Sequence, residues 1–116
     1  MTRMVTIGAA QTGPIQRSDT RAEVVERLIA LLRQGAAAGC DLVVFPELTL
    51  TTFFPRWFVE DRAEFDHFFE TEMPGPETQP LFDEAVRLQV GFHLGYAELT
   101  PDGHHYNTAI LVEPTG

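Results

Sequence analysis

The segment from Asp41 to Glu47 constrains the fold of this chain more than any other. Its four consecutive apolar residues, 42–45, predict a short strand that is buried on both faces, as strands of parallel sheets are. Pro46 ends that strand, because proline lacks the N–H that a sheet ladder requires, and Glu47 follows where the backbone leaves the sheet. A carboxylate in that position is either a well-paired structural charge or a catalytic group.

A strand–helix–strand unit leads into this segment. Residues 5–11 predict a strand, and Thr20 with Glu23 forms a capping-box signature at the start of a helix. Gly39 predicts the end of that helix. The apolar face of the helix has helical spacing and comprises Val24, Val25, Leu28, Ile29, Leu31 and Leu32. Such a unit predicts a right-handed crossover and parallel pairing of its two strands.

Two more helices and two more strands are predicted downstream. Residues 61–70 predict a short amphipathic helix, and Thr78 predicts the cap of a helix over residues 78–88. Residues 91–97 predict a third strand, and a turn then predicts that residues 106–112 return as an antiparallel fourth strand. The helices cover one face of such a sheet and leave the other face, with at least one edge, for another element. We therefore expect the chain to be part of a larger fold.

Charge and cysteine content exclude several classes of function. The 116 residues carry 8 basic and 17 acidic side chains, a net charge of −9, so nucleic acid is not an expected partner. All the basic residues are arginine. Cys40 is the only cysteine, which excludes an internal disulfide and a thiolate-rich metal site. No segment has the length and apolarity of a signal peptide or a membrane span, so we expect a cytoplasmic protein without a membrane partner.

The position of Glu47 makes it the candidate catalytic residue. Ligands of α/β folds bind at the carboxyl ends of strands, where Glu47 is expected to lie. Partial burial behind Phe45, Phe53 and Phe54 would raise the pKa of this carboxyl toward the range in which it can take up and return protons. A structural glutamate that accepts backbone N–H bonds from its own turn fits the position as well, so position alone leaves both interpretations open.

The residues around Glu47 narrow this choice. Phe45-Pro46-Glu47-Leu48 resembles the first catalytic motif of the nitrilase, or carbon–nitrogen hydrolase, superfamily. Four further segments, in the same order, resemble N-carbamoyl-D-amino acid amidohydrolases: Thr51–Trp57, Glu70–Pro76, Gly95–Leu99 and Tyr106–Val112. The resemblance implies an α/β fold, the N-terminal part of a nitrilase-type α-β-β-α sandwich with a mixed sheet and helices on one face. It also implies hydrolysis of an N-carbamoyl-D-amino acid to the amino acid, carbon dioxide and ammonia, without a cofactor.

The resemblance gives Glu47 a role and leaves two other roles unfilled. In that family a cysteine attacks the carbonyl carbon, a glutamate is the general base and a lysine stabilises the oxyanion. Glu47 matches the glutamate by its motif, whereas the segments that hold the lysine and the cysteine are absent from residues 1–116. Cys40 lies at the opposite end of the strand, roughly 23 Å away for seven extended residues, and is not expected to replace the nucleophile. We expect a partial domain that is inactive alone.

Other candidate residues have a structural alternative. Phe53 resembles an aromatic residue of the pocket wall, and plain packing is the alternative. Asn107 is a candidate for bracing the active-site loop, and a strand-entry turn residue is the alternative. The histidines support no metal site, because two of the four are adjacent and would point to opposite faces of a strand. They are His67, His93, His104 and His105.

Two alternative functions stay open. One is a superfamily amidase of different specificity, such as a β-ureidopropionase or an aliphatic amidase. The other is a non-catalytic module that pairs with another subunit through its bare sheet face, so that self-association or a homo-oligomer is expected. In the intact family form, the partner is a small-molecule N-carbamoyl or amide substrate.

Overall fold

Four strands form one mixed sheet in the computed structural model, which describes residues 2–116. The strands are β1 (Ile7–Ala9), β2 (Leu42–Val44), β3 (Gly91–Leu99) and β4 (His105–Val112). They lie in the order β1-β2-β3-β4; β1 and β2 are parallel, β2 and β3 are parallel, and β3 and β4 are antiparallel. The parallel strand–helix–strand unit and the antiparallel return of the fourth strand are therefore confirmed.

The helices are α1 (Arg21–Ala37), α2 (Arg62–Asp66) and α3 (Gln79–Leu88). The predicted capping box begins α1: the Glu23 N–H donates to Thr20 Oγ1 at 3.1 Å, and the Thr20 N–H donates to Glu23 Oε1 at 3.2 Å. Gly39 follows the helix with φ +87°, a conformation that glycine adopts without strain. In the part of the chain that the structure describes, no helix is both long and apolar enough to cross a membrane.

The main core lies between the sheet and helices α1 and α3. Val43 of β2 and Phe92 of β3 are buried against Leu28 of α1 and Leu81 of α3. Helix α1 approaches the sheet closely at Gly35, where a Cβ would lie only 2.5 Å from Val43 Cγ2. Each large apolar side chain in this layer contributes about 1.5–3 kcal/mol by burial.

An ionic contact joins the two helices at the edge of this core. Arg33 of α1 and Arg87 of α3 both bind the Glu84 carboxylate, whose side chain is 8% exposed. Hydrogen bonds from Arg87 and Arg33 lower the pKa of Glu84 to about 2. The sequence pattern did not indicate this contact, because Arg33 and Glu84 are distant along the chain.

Part of the opposite face of the sheet is exposed. Ile7 of β1 is 58% exposed and Leu111 of β4 is 68% exposed, although both are apolar strand residues. Leu111 pairs with His93 of β3, so these side chains share the face that points away from α1 and α3. The other end of this face is covered, because Ala97 of β3 is buried in a cluster against which Phe65 of α2 packs.

The predicted helix over residues 61–70 is wrong in its second half, since α2 ends at Asp66. The chain leaves the helix because Glu70 pairs with the edge of β3. The Glu70 N–H donates to the Ala97 carbonyl at 2.7 Å, and the Leu99 N–H donates to the Glu70 carbonyl at 2.9 Å. Pairing with the sheet overrides the local helical pattern at this point.

Two smaller predictions also need correction. Thr78 does not cap α3 with its side chain; its hydroxyl accepts from the Gly75 N–H at 2.8 Å and closes the preceding turn. The first strand, Ile7–Ala9, is shorter than residues 5–11, and the last backbone bond to β2 comes from the Ala10 N–H, which donates to the Val44 carbonyl at 2.9 Å.

Candidate active site

Glu47 lies on a short bulge that follows β2. On either side of it the backbone stays bonded to β3: the Phe45 N–H donates to the His93 carbonyl at 2.9 Å, and the Thr49 N–H donates to the Gly95 carbonyl at 3.0 Å. The next residue, Leu48, has φ +47°, a left-handed conformation that is uncommon for residues other than glycine. The backbone around Glu47 is therefore held by β3 at both ends and turned sharply between them.

The backbone of this bulge packs directly against Gly95 of β3. A Cβ at Gly95 would lie 2.9 Å from Glu47 Cα, 3.1 Å from the Pro46 carbonyl oxygen and 3.3 Å from Leu48 N. All three contacts are with backbone atoms, which cannot rotate away as a flexible side chain can. The bulge can take this position only because residue 95 has no side chain.

A cluster of aromatic side chains anchors the bulge from below. Leu48 is buried in this cluster together with Ala97 of β3. The Phe54 and Phe68 rings stack in it with centroids 4.8 Å apart, and Phe65 contacts Phe54 edge-on. Because Leu48 is fixed in this aromatic cluster, the position of its neighbour Glu47 is fixed as well.

The Glu47 side chain is exposed, and Asn107 binds it. Asn107 lies in β4, opposite Ala97, and its Nδ2 donates to Glu47 Oε2 at 3.3 Å. The structure thus brings together two of the residues that the sequence singled out. Asn107 is a strand residue in mid-ladder, so the alternative of a strand-entry turn residue does not apply to it.

The predicted burial of Glu47 behind three phenylalanine rings is wrong in this structure. Phe45 packs into the main core and Phe54 into the aromatic cluster, so neither ring covers the carboxylate. Phe53 is 43% exposed and stands beside the bulge. The reason is that Phe45 is held in the main core and Phe54 is held against Phe65 of α2, whereas Glu47 is exposed.

Glu47 and Phe53 line one cleft, of about 370 Å³. The segment 12–17, which follows β1, forms its opposite wall, so the cleft lies at the carboxyl ends of β1 and β2, where α/β sheets bind ligands. Arg17, Arg56 and Trp57 complete the rim. The cleft therefore combines a carboxylate, aromatic side chains and two guanidinium groups.

Cys40 does not reach this cleft. It lies before β2, at the opposite end of that strand from Glu47, and packs against the main core. Its Sγ is 2.9 Å from the position that a Cβ on Gly8 would occupy. The prediction that Cys40 cannot act as the nucleophile for Glu47 agrees with this placement.

The histidines are dispersed. His105 Nε2 lies 2.7 Å from Asp66 Oδ1, and its ring packs against Phe69 at a centroid distance of 4.6 Å. His104 Nδ1 lies 3.0 Å from the neighbouring Asp102 carboxylate. Among residues 2–116 no three His, Cys, Asp or Glu side chains are grouped as metal ligands.

A second cleft, of about 340 Å³, lies beside the ion pair between Arg21 and Glu70. Arg21 Nε is 2.5 Å from Glu70 Oε1, and both side chains are largely buried. Burial raises the pKa of Glu70 against the opposing pull of Arg21. The pair ties the start of α1 to the edge of β3, which is a structural role.

The sequence did not assign three residues to the first cleft, namely Arg17, Arg56 and Trp57, nor Gly95 to the support of the adjoining bulge. For Gly95 a signal was available, since a glycine inside a strand often marks the close approach of another backbone. For the two arginines and the tryptophan no local signal exists, because loops distant in sequence bring them together.

Residues 6–116 match the family described as carbon-nitrogen hydrolase. The chain therefore belongs to the carbon–nitrogen hydrolase family, and its mixed sheet with helices is the α/β fold of that family. It is 31% identical over 113 residues to a formamidase from Bacillus thuringiensis (strain Al Hakam) and 33% identical over 113 residues to a formamidase from Bacillus anthracis. Each alignment covers 89% of this chain and 31% of the formamidase.

Solved structures show the same fold. A carbon-nitrogen hydrolase from Helicobacter pylori G27 superimposes with a TM-score of 0.74 at 21% identity, over 97% of this chain and 36% of that protein. An N-terminal amidase superimposes with a TM-score of 0.70 at 20% identity, over 96% of this chain and 25% of the amidase. The family is thus confirmed, and the narrower specificity for N-carbamoyl-D-amino acids stays a prediction.

Proposed function

We propose that this chain supplies the general base of a carbon–nitrogen hydrolase active site, and that Glu47 is that base. The observation that carries the proposal is the state of the Glu47 carboxylate: it is exposed to the cleft on a rigidly held bulge, and its hydrogen bond comes from the Asn107 side chain. A structural glutamate would accept backbone N–H bonds from its own turn, and within residues 2–116 Glu47 accepts none.

The arrangement suits proton transfer. Asn107 orients one carboxylate oxygen, Oε2, while Oε1 accepts no hydrogen bond from the described residues. A general base has to lie within hydrogen-bond reach of the proton that it removes, and a carboxylate held at the wall of a cleft can meet that requirement. In the proposed reaction Glu47 takes the proton of a thiol nucleophile and later that of the hydrolytic water, with Phe53 as part of the substrate-facing wall.

We further propose that residues 1–116 are one part of the catalytic domain, and that the lysine and the nucleophilic cysteine come from sequence outside them. The chain spans 31% of the length of its formamidase relatives. It has no lysine, and Cys40 lies at the wrong end of β2. Residues 1–116 alone are therefore expected to release no ammonia from any amide.

The proposed substrates are N-carbamoyl amino acids. The support is the resemblance of four segments, together with the catalytic motif, to N-carbamoyl-D-amino acid amidohydrolases. The formamidase relatives favour a second candidate, hydrolysis of a short neutral amide. A cytoplasmic location and a homo-oligomeric state also belong to the proposal, and light scattering on the purified protein tests the latter.

Ammonia release tests the proposal. The complete product of the gene is incubated with racemic N-carbamoylphenylalanine and, separately, with formamide, and residues 1–116 are assayed in parallel. We expect the complete protein to hydrolyse the N-carbamoyl compound, the Glu47→Gln variant to lose that activity, and residues 1–116 to have none. Activity that is unaffected by Glu47→Gln would contradict the role of Glu47, and a preference for formamide would favour the second candidate.

A further inference from the structure

Helix α2 joins the aromatic cluster to the start of β4. The Phe65 ring of this helix contacts Phe54 in the cluster edge-on, and Asp66 Oδ1 lies 2.7 Å from Nε2 of His105. His105 is the first residue of β4, and its ring centroid lies 5.4 Å from that of Phe65. A helix of five residues is marginal by itself in water, so contacts of this kind determine its position.

The His105 side chain is partly shielded from water at this junction. It is 21% exposed and the Asp66 side chain is 32% exposed, and the His105 ring packs edge-on against Phe69 at a centroid distance of 4.6 Å. The other ion pair of α2, between Glu64 and Arg17, is about half exposed on both sides. Because exposed ion pairs contribute little, the contact between Asp66 and His105 is the stronger tie of α2 to the rest of the molecule.

Two structural connections lead from His105 to Glu47. His105 and Asn107 lie on the same face of β4, because side chains alternate along a strand, and Asn107 Nδ2 donates to Glu47 Oε2 at 3.3 Å. Through α2, His105 also contacts the aromatic cluster in which Leu48, the neighbour of Glu47, is buried. The backbone of Glu47 and the orientation of its carboxylate therefore both depend on the junction between β4 and α2.

We infer that His105 is a positioning residue, which through Asp66 and the aromatic cluster holds the Glu47 carboxylate where it can transfer a proton. This inference rests on the proposed function, since it assigns His105 to the general base of the same site. A displacement of about 1 Å at a catalytic group can cost on the order of 100-fold in rate, so a loosened junction lowers kcat. KM should not change, because neither His105 nor Asp66 lines the cleft beside Glu47.

Steady-state kinetics of the complete protein test the inference, with whichever of N-carbamoylphenylalanine and formamide it hydrolyses faster and at temperatures where the variants stay folded. His105→Phe keeps a ring against Phe69 and removes the bond to Asp66, and we expect kcat to fall about 10-fold with KM unchanged. His104→Phe is the matched control, because His104 is the neighbouring histidine and also pairs with an aspartate, Asp102, but both of those side chains are exposed. We expect its kcat to stay within about twofold of wild type.

Two kinetic results overturn the inference in a protein that Glu47→Gln inactivates. One is an equal kcat for His105→Phe and His104→Phe, and the other is a loss from His105→Phe that is confined to KM. A double-mutant cycle then shows whether His105 acts through Asp66. Asp66→Leu removes the same bond, so the combined variant should lower kcat no more than about twofold beyond either single variant. Losses that multiply in the combined variant overturn the role of this bond.

Crystal structures of the variants separate failure of this inference from failure of the proposed function. In His105→Phe we expect the Glu47 carboxylate to move away from Asn107, whereas in His104→Phe their hydrogen bond of 3.3 Å should persist. If Glu47→Gln keeps full activity while this displacement is seen, the proposed general base is wrong and the positioning of Glu47 by His105 stands. If Glu47→Gln loses activity while His105→Phe leaves both kcat and the position of Glu47 unchanged, the general base stands and this inference is overturned.

Discussion

The two faces of the sheet are built on different kinds of contact. On the helix face, α1 and α3 bury aliphatic side chains that recur at helical spacing, and residues such as Leu28 and Leu81 are fully buried. On the Glu47 face, the bulge after β2 needs a residue without a side chain at Gly95. Its Glu47 carboxylate is bound by Asn107, which comes 60 residues after Glu47 in the chain. Most of the stability is thus expected from one face and the chemistry from the other, so substitutions should separate the two.

The largest effect on stability is expected from the helix face. Leu28→Ala in the complete protein should lower the free energy of unfolding by about 2–5 kcal/mol, because it leaves a cavity beneath α1. The measurement is equilibrium unfolding in denaturant. At temperatures where the variant stays folded, kcat/KM per folded molecule should stay unchanged. A fall in kcat/KM as large as the one caused by a cleft variant would show that the two faces are coupled.

Gly95→Ala should lower kcat/KM strongly and stability less, the opposite of what is expected for Leu28→Ala. The added methyl group would overlap the Glu47 backbone, and a displacement of about 1 Å at a catalytic group can cost on the order of 100-fold in rate. We expect kcat/KM to fall by that order, with a smaller loss of stability than for Leu28→Ala. Ala109→Ser is the control, since Ala109 pairs with Gly95 across the ladder and is exposed. Equal kinetics for the two variants would mean that the bulge does not need an empty position at residue 95.

Asn107→Ala should have a smaller effect, because it removes one hydrogen bond to the carboxylate and leaves the bulge in place. A hydrogen bond to a charged group contributes about 1.5–3 kcal/mol when well formed, and this one is long, so we expect the loss in kcat to be about 10-fold. Steady-state kinetics measure it. A change confined to KM would show that Asn107 contacts substrate instead of orienting Glu47.

The smallest effect concerns the pH dependence of stability. The pKa of Glu84 is lowered to about 2 from its ordinary value of 4.5, so its ion pairs with Arg87 and Arg33 stabilise the fold above pH 4.5. That contribution is lost as the pH falls toward 2. Glu84→Gln should flatten the pH dependence of unfolding in this range, whereas Glu113→Gln, at an exposed position, should not. Identical profiles for wild type and Glu84→Gln would contradict the assignment.

The helix face could be predicted from the sequence because its signals are local. The Thr20–Glu23 capping box, the apolar face of α1 and the hairpin of β3 and β4 each depend on residues close together in the chain. The prediction failed where a distant contact decides the local structure. Glu70 leaves the helical pattern to pair with β3, which shortens α2 to five residues.

The site was predictable only in part. The motif singled out Glu47, and Asn107 was a candidate that the structure places beside it. The exposure of Glu47 was not foreseen, because the paths of Phe45 and Phe54 into separate cores depend on the whole fold. Arg56 and Trp57 lie within a segment that the resemblance covered, yet their place at the rim of the cleft follows from the loop conformation alone.

The most direct measurement is kcat/KM of the complete protein for N-carbamoylphenylalanine with Glu47→Gln, beside Glu113→Gln as the control. Loss of a general base costs about 100- to 10,000-fold, so we predict a fall of that size for Glu47→Gln and none for Glu113→Gln, with unchanged unfolding curves for both. A Glu47→Gln variant that keeps more than about half of the wild-type kcat/KM, far above the loss expected for a general base, would contradict the assignment of Glu47.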